Sequence, residues 1–247
     1  MVKIIDTRER EKEILGLIID SYIEESKPIS SAYLCQRYDL HCSAATIRNI
    51  MLSLEKQGFL SHIHTSSGKV PTKQGFKCYI ENLKKGEIAI KEEPVALGFY
   101  ALPAFNIEEV ISHTLNSLVE FSGYTSLLAI SGEDDRVFFK GMRYMLQQPE
   151  FEDIARLKDI FYTLEVRMEE LGNLLFSCIG DNVRILIGDD IGFEEIADCS
   201  LLISGLENEQ FKIAVGLLGP MRMNYAKASL CLNSVRDQLS EVAEELF

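Results

Sequence analysis

The segment from Ser43 to Gly58 constrains the fold of this chain more than any other. Ser43 is a residue type that caps helices by accepting hydrogen bonds from the free amides of the first turn. Gly58 is the type that ends helices, because glycine takes the left-handed conformation without strain. Between them, apolar residues recur at three- and four-residue spacing and so share one helix face; they are Ile47, Ile50, Met51 and Leu54. The segment predicts a short capped helix.

The other face of this helix has the composition of a surface that reads nucleic acid. It is small, polar and cationic, with Ala45, Arg48, Asn49, Ser53 and Lys56. Arginine hydrogen-bonds guanine or phosphate and asparagine pairs with adenine, so Arg48 and Asn49 are the candidates for base contacts. Ser43 and Thr46 are candidates for phosphate contacts, because helix N-terminal amides attract anions. The alternative is an ordinary solvated helix face.

The residues on both sides of this helix predict a winged helix-turn-helix. Residues 7–25 form an amphipathic helix that ends before Lys27-Pro28, and Ser30 caps a short helix over residues 31–38. Residues 39–42 are the turn into the capped helix. After Gly58, strands over 59–63 and 69–72 form a hairpin, the wing, and a helix follows over 74–83.

The wing carries cations and hydroxyl groups that suit contact with a DNA backbone or minor groove. The candidates are His64, Thr65, Ser66, Lys69, Thr72 and Lys73. The alternative is turn chemistry alone, because Ser-Ser-Gly builds a hairpin loop in any protein.

The charge of the chain is divided unevenly along its length. The 247 residues have a net charge of −13, but residues 1–85 carry +3 and residues 86–247 carry −16. Between Leu40 and Ile80, five cations accompany one carboxylate, that of Glu55. This asymmetry indicates a small basic domain that binds nucleic acid, here called the reader, joined to a larger acidic domain. With no signal-like or bilayer-spanning stretch and six scattered cysteines, we expect a soluble cytoplasmic protein with reduced thiols.

The rest of the chain predicts an α+β domain with a mostly antiparallel sheet. Helices are predicted over 107–121, 149–178 with a break near Gly172, and 224–245. Strands are predicted over 124–130, 136–140, 183–187, 200–204 and 211–218, with a hairpin loop at 205–209. The predicted domains are the reader at 1–85, a packed connector at 86–106, and a regulatory or oligomerisation domain at 107–247.

No catalytic, metal or cofactor site is predicted. The acidic runs at 132–135 and 188–190 resemble ordinary polar turns, although a hard-cation site and a paired acid and base are the alternatives. No nucleotide-binding, zinc or hydrolase motif is present, and the sequence predicts that the chain is not an enzyme. Near the C-terminus, apolar residues at four- and three-residue spacing favour core packing over a dimer seam; they are Val235, Leu239, Val242 and Leu246.

Several runs of the sequence resemble HrcA, the heat-inducible transcription repressor family of bacteria. In residues 1–85 they are REREKEILGLIIDSYI from Arg8, PISS from Pro28, SAATIRN from Ser43, LE from Leu54 and HTSSGKVPT from His64. The resemblance resumes in LQQPEF from Leu146, IGDD from Ile187, DCS from Asp198 and VGLLGPMRMNY from Val215. It therefore covers most of the chain.

The resemblance implies a winged-helix domain followed by a GAF-like domain. It also implies a homodimer that represses chaperone genes at an inverted-repeat operator in double-stranded DNA, with support from the chaperonin GroEL. The chain departs from the family in having about ten residues between Ile130 and Gly141, where a large insertion linked to dimerisation is usual, and in having Ile50 where glutamate is common. The alternatives are a ligand-sensing regulator of this architecture and a protein–protein adaptor that has lost its operator.

Overall fold

The computed structural model describes residues 7–62, 68–84, 106–132 and 135–246. The chain divides into two compact units, Met1–Ile90 and Lys91–Phe247. The predicted connector, apart from Asn106, and the wing residues His64, Thr65 and Ser66 lie outside the described residues.

Among its described residues, the first unit has three helices, a short hairpin and a fourth helix, close to the predicted positions. The helices are α1 (Thr7–Glu25), α2 (Ser31–Arg37), α3 (Ala44–Lys56) and α4 (Lys73–Lys84), and the hairpin strands are β1 (Leu60–Ser61) and β2 (Val70–Pro71). Helix α1 packs against α3, α4 and β2. The side chains that fill this core include Ile14, Ile18, Leu34, Ile47, Leu54, Leu60, Phe76 and Ile80.

The predicted helix caps are confirmed. Ser30 Oγ accepts a hydrogen bond from the Tyr33 amide at 3.1 Å, and Ser43 Oγ accepts one from the Thr46 amide at 3.2 Å. Gly58 has a φ of 82°, so it ends α3 in the left-handed conformation that favours glycine. Local sequence therefore sets both ends of α3.

The linker between α1 and α2 pairs with the base of the hairpin. Ile29 and Lys69 form an antiparallel bridge whose two N–O distances are 2.9 and 2.7 Å. A Cβ atom at Gly68 would lie 2.2 Å from the Ile29 carbonyl oxygen, so this close approach requires glycine. The hairpin is thereby fixed to the linker as well as to α3.

The second unit contains an antiparallel sheet of five strands in the order β4-β3-β7-β6-β5. Its strands are β3 (Thr125–Ile130), β4 (Arg136–Lys140), β5 (Arg184–Ile187), β6 (Cys199–Glu207) and β7 (Lys212–Pro220). Its helices are α5 (Ile107–Ser122), α6 (Met142–Met145), α7 (Ile154–Val166), α8 (Met168–Ser177) and α9 (Tyr225–Leu246). A mixed fold of helices and an antiparallel sheet is thus confirmed.

Helices cover both faces of this sheet. Helices α5 and α9 pack on one face, and α8 packs on the other against β3, β4 and β7. Side chains alternate between the faces along each strand, and both sets are buried over most of β3, β6 and β7. On the α8 side, Leu127, Leu201 and Leu218 join Leu171 and Leu175 in one apolar cluster.

Three expectations for this unit are wrong in detail. The helical break falls at Arg167, between α7 and α8, and not near Gly172. Gly172 lies inside α8, where a Cβ atom would meet Val137 Cγ2 at 2.7 Å, so the glycine serves close packing on the sheet. Phe121, the last residue of the helix predicted over 107–121, continues its apolar spacing and is therefore expected to be buried, but it is 37% exposed. Strands β6 and β7 are longer than expected, which shortens their connection to residues 208–211.

A largely buried ion pair joins two distant segments of this unit. Arg222, whose side chain is 9% exposed, donates from Nε and Nη2 to the two carboxylate oxygens of Glu150. Its Nη2 also donates to Gln148 Oε1 at 2.8 Å. These residues belong to the LQQPEF and VGLLGPMRMNY runs, so the two runs meet in space. Both runs therefore have a structural role.

Candidate nucleic-acid interface

The outer face of α3 is open to solvent. Ser43, Ala45, Thr46, Arg48 and Asn49 are all exposed, and they occupy the first half of the helix and its cap. Within the part of the chain that the structure describes, Arg48 and Asn49 make no ion pair or side-chain hydrogen bond. Their donors and acceptors are available to a ligand, next to the positive N-terminal end of the helix.

The opposite face of α3 and the turn before it hold the helix in place. Ile47, Met51 and Leu54 are buried, and Ile50 is half-buried. From α1, Arg10 donates to the Leu40 carbonyl oxygen and to Cys42 Sγ, the latter at 3.4 Å. The hydrogen bond with Cys42 raises the pKa of Arg10. Arg10 therefore fixes the turn that orients the N-terminus of α3.

Ser53 faces α1. Its hydroxyl donates to Glu11 Oε1 at 2.6 Å, and Gln57 Nε2 donates to Glu11 Oε2 at 3.1 Å. The hydrogen bond from Ser53 is the main reason that the pKa of Glu11 is lowered. Ser53, predicted on the outer face, thus lies at its edge with its hydroxyl already engaged.

Glu55 connects the last turn of α3 to His62, which follows β1, and to Lys69, which precedes β2. Its Oε1 accepts from Lys69 Nζ at 2.6 Å and lies 2.7 Å from His62 Nδ1. The Lys69 side chain is only 18% exposed. These contacts, with Lys69 first, lower the pKa of the Glu55 carboxyl. Lys69, predicted to contact DNA, is held inside the unit as the partner of Glu55.

The remaining described wing candidates lie at the start of α4. The Thr72 hydroxyl donates to the Gly58 carbonyl oxygen at 2.6 Å and accepts from the Gly75 amide at 3.1 Å. Thr72 therefore joins the end of α3 to the start of α4. Lys73 is the first residue of α4 and is half-buried.

Sequence reasoning did not assign roles to Arg10, Glu11 and Glu55 in this surface. Their partners lie far along the chain, up to 46 residues away in the case of Glu11 and Gln57. Of these three residues, only Glu55 has a feature in the sequence from which its role could be predicted, because it is the single carboxylate between Leu40 and Ile80. An isolated acid in a basic segment indicates a pairing role for that acid.

The lowered pKa of Glu55 predicts how the stability of the first unit depends on pH. Stabilisation from an ionised, paired carboxylate is complete above its ordinary pKa, here 4.5, and is lost as the pH falls through the lowered value. We expect Glu55→Gln to be less stable than the original protein at pH 7 and equally stable near pH 2. Urea unfolding across this range measures the difference. Glu81→Gln removes the same charge at an exposed position of α4 and, as the matched control, should cost far less stability at pH 7.

The second unit offers no comparable site within the described residues. No group of three or more His, Cys, Asp or Glu side chains there could hold a metal ion. Gly188–Ile191 is a 3-10 turn, as expected for the acidic run. Val235 and Leu239 are buried in the core, as predicted. No helix among the described residues is long and apolar enough to cross a membrane.

Comparison with known families decides the assignment. The family model described as the HrcA protein C terminal domain matches residues 99–228, more than half of the 247-residue chain. The chain belongs to the HrcA family. Members of this family are transcription regulators, in agreement with the expectation that the chain is not an enzyme. The chain is thus a transcriptional repressor of heat-shock genes.

Curated relatives span nearly the whole chain. The heat-inducible transcription repressor HrcA of Brevibacillus brevis is 24% identical over 338 residues, covering 97% of this chain and 98% of the relative. HrcA of Desulforudis audaxviator is 24% identical over 341 residues with the same coverage. An alignment of 338 residues is at least 91 longer than the 247 residues here, so the relative carries residues that this chain lacks.

One solved structure has the same fold. A crystal structure of a hypothetical protein at 2.2 Å resolution superposes with a TM-score of 0.79, covering 94% of this chain and 97% of that chain. The two sequences are 18% identical, so the likeness concerns the fold alone.

Proposed function

We propose that residues 1–85, within the first unit, form a winged helix-turn-helix domain that binds an inverted-repeat operator in double-stranded DNA. The observation that carries this proposal is the open outer face of α3, where Arg48 and Asn49 are exposed and unengaged among the described residues. The face is 13 residues long at most, the length of α3, and begins at a capped N-terminus. A short helix of this kind fits the major groove.

The residues of the interface fall into two groups. Arg48 and Asn49 contact base edges, and Ala45 permits close approach. Phosphate contacts come from Ser43 and Thr46 at the helix N-terminus and from the wing. The proposed wing contacts are His64, Thr65, Ser66 and Lys73. The side chains of Ser53, Lys69 and Thr72 have partners inside the unit. We therefore propose that they hold the elements of this surface in place and do not contact DNA.

The second unit supplies regulation and assembly in this proposal. An antiparallel sheet with helices on both faces supports a GAF-like domain at 107–247, preceded by a connector at 86–106. Because an inverted repeat has two half-sites, the operator-bound form is a homodimer. The family resemblance further leads us to propose that the chaperonin GroEL supports repression.

The proposal is tested by the salt dependence of DNA binding. Duplexes selected from a randomised pool, and scrambled versions of them, are titrated with protein at several salt concentrations. We expect tight binding to the selected inverted repeat, weak binding to the scrambled duplex, and affinity that falls steeply with salt because phosphate contacts release counterions. Equal, salt-insensitive affinity for both duplexes would contradict the proposal.

The same titration measures the role of Lys69. Since Glu55 already neutralises it, we expect Lys69→Gln to leave the slope of log affinity against log salt nearly unchanged. Glu55→Gln frees the lysine for a phosphate and should steepen the slope by about 0.9 per protomer. The double variant should return to the original slope. A loss of about 0.9 with Lys69→Gln alone would show that Lys69 contacts phosphate despite Glu55.

A further inference from the structure

Helix α7 presents a partly apolar face to solvent. The helix packs mainly on α8 and on the 3-10 turns Pro149–Phe151 and Glu194–Ile196, with Ile160, Thr163 and Leu164 buried. On its other side, Ile154 is 68% exposed, Tyr162 49% and Val166 64%. Single exposed apolar side chains are ordinary, but these three lie on one face along about 18 Å of helix.

The exposed face of α7 is arranged symmetrically about the middle of the helix. Its residues are Ile154, Ala155, Lys158, Tyr162, Glu165 and Val166, all exposed, and they fall within about 120° of the helix circumference. These residues form three pairs at equal distances before and after Ile160. Ile154 and Val166 lie six residues from it, Ala155 and Glu165 lie five residues from it, and Lys158 and Tyr162 lie two residues from it. Each position therefore has a mirror position on the same face.

Mirror positions meet when two copies of a helix pack antiparallel about a two-fold axis. In that arrangement Ile154 of one copy and Val166 of the other lie at the same level along the helix pair, at the two edges of the contact, and both become less exposed to water. Lys158 lies over the Tyr162 ring of the other copy, where an ammonium group is attracted to the aromatic face. Glu165 faces the small Ala155 and lies within one helical turn of the other copy's Lys158, so opposite charges meet twice.

The charged residues of this face are available for such contacts. Among the described residues, Lys158 and Glu165 make no ion pair and no side-chain hydrogen bond. In contrast, Arg156 on another side of α7 pairs with Asp198 at 3.0 Å. The face thus combines apolar ends with unpaired opposite charges at complementary positions.

We propose that a second copy of this chain docks on α7, antiparallel to it, with the two-fold axis near Ile160. This interface deepens the proposed function, because it gives a shortened HrcA protein a way to hold two DNA readers together. A single helix face buries less area than the roughly 1,600 Å² of a standard interface, so the free dimer is weak. Two half-sites on one operator raise the effective concentration of the second copy and complete the dimer.

Sedimentation equilibrium of the full chain without DNA tests the interface. We expect a monomer–dimer equilibrium, and we expect Val166→Asp to raise the dissociation constant more than tenfold. Leu146→Asp is the matched control, because Leu146 is an exposed apolar residue of the same unit, 54% exposed, outside α7. It should leave the equilibrium unchanged. A monomer at every concentration, or a dimer indifferent to Val166→Asp, would overturn the proposal.

A charge exchange provides a second test. Lys158→Glu and Glu165→Lys should each weaken the dimer, because like charges then meet across the two-fold axis, and the two changes together should restore it. Failure of the double variant to recover, with normal circular dichroism, would overturn the antiparallel arrangement.

DNA binding separates this interface from the proposed function. Val166→Asp should keep the affinity for a single half-site and lose the advantage of the full inverted repeat. If the chain dimerises through α7 but binds no operator, the proposed function fails and the interface stands. If it binds the operator as a dimer that α7 variants do not disturb, the interface fails and the proposed function stands.

Discussion

Arg48→Ala is expected to remove the preference for the proposed inverted-repeat operator over random duplex DNA. Arg48 is exposed on α3, next to Asn49, and has no partner among the described residues. A bidentate contact between arginine and guanine is worth about 1–3 kcal/mol of discrimination, and an inverted repeat has two such contacts. The specific complex should therefore weaken by about 2–6 kcal/mol, while binding to random duplexes weakens only slightly. Competition between operator and scrambled duplex, followed by fluorescence anisotropy, measures both affinities.

The control must remove one positive charge from the same unit without touching α3. Lys12→Ala meets this need, because Lys12 is exposed on α1. This variant should keep the ratio of specific to random binding, with a small change in both affinities. Equal losses of specificity in the two variants would show that net charge, and not Arg48, carries the discrimination.

Arg222→Ala is expected to destabilise the second unit by about 3 kcal/mol, because removing one member of a largely buried ion pair leaves the charge of the other without a partner. Glu150 would lose both of its contacts with the guanidinium group, and Gln148 Oε1 would lose a donor. Denaturant unfolding followed by circular dichroism measures the loss. Because Arg222 lies in the second unit, half-site DNA binding by the first unit should persist under native conditions.

An exposed ion pair of the same unit provides the comparison. Arg136 Nη1 lies 3.1 Å from Glu108 Oε1, and the two side chains are 47% and 65% exposed, respectively. Exposed pairs contribute at most about 1 kcal/mol, so Arg136→Ala should cost far less than Arg222→Ala. If the two variants lose the same stability, burial is not what makes the Arg222–Glu150 pair important.

The sequence predicted the elements of the first unit closely because their limits are set locally. Ser30, Ser43 and Gly58 act on residues within one helical turn, and the structure has them in those roles. The break between α7 and α8 was misplaced because its cause is tertiary. Arg167 at the break donates to Glu195, 28 residues away, and its guanidinium lies 4.4 Å from the Phe193 ring centroid. Neither contact can be derived from local spacing.

The candidate interface shows the same division. The exposure of Arg48 and Asn49 follows from helical periodicity, which places them opposite Ile47 and Met51. The engagement of Ser53 with Glu11 and of Lys69 with Glu55 does not follow, because each pair joins different elements. Residue type and charge predicted the candidate surface, and only the structure distinguishes its available side chains from its engaged ones.

The link from Glu55 to Lys69 and His62 has a consequence for transplanting operator specificity between repressors. Exchanging Ala45, Thr46, Arg48 and Asn49 changes what α3 presents to a groove and leaves Glu55 with both of its partners. Grafting the whole of α3 from a donor without an acid at position 55 would leave Lys69 unneutralised and the hairpin loosened. Such a chimaera would bind DNA weakly because α3 and the hairpin no longer fit together. The weak binding could then be mistaken for a wrong set of base contacts. In directed evolution, positions 55 and 69 should therefore be varied together.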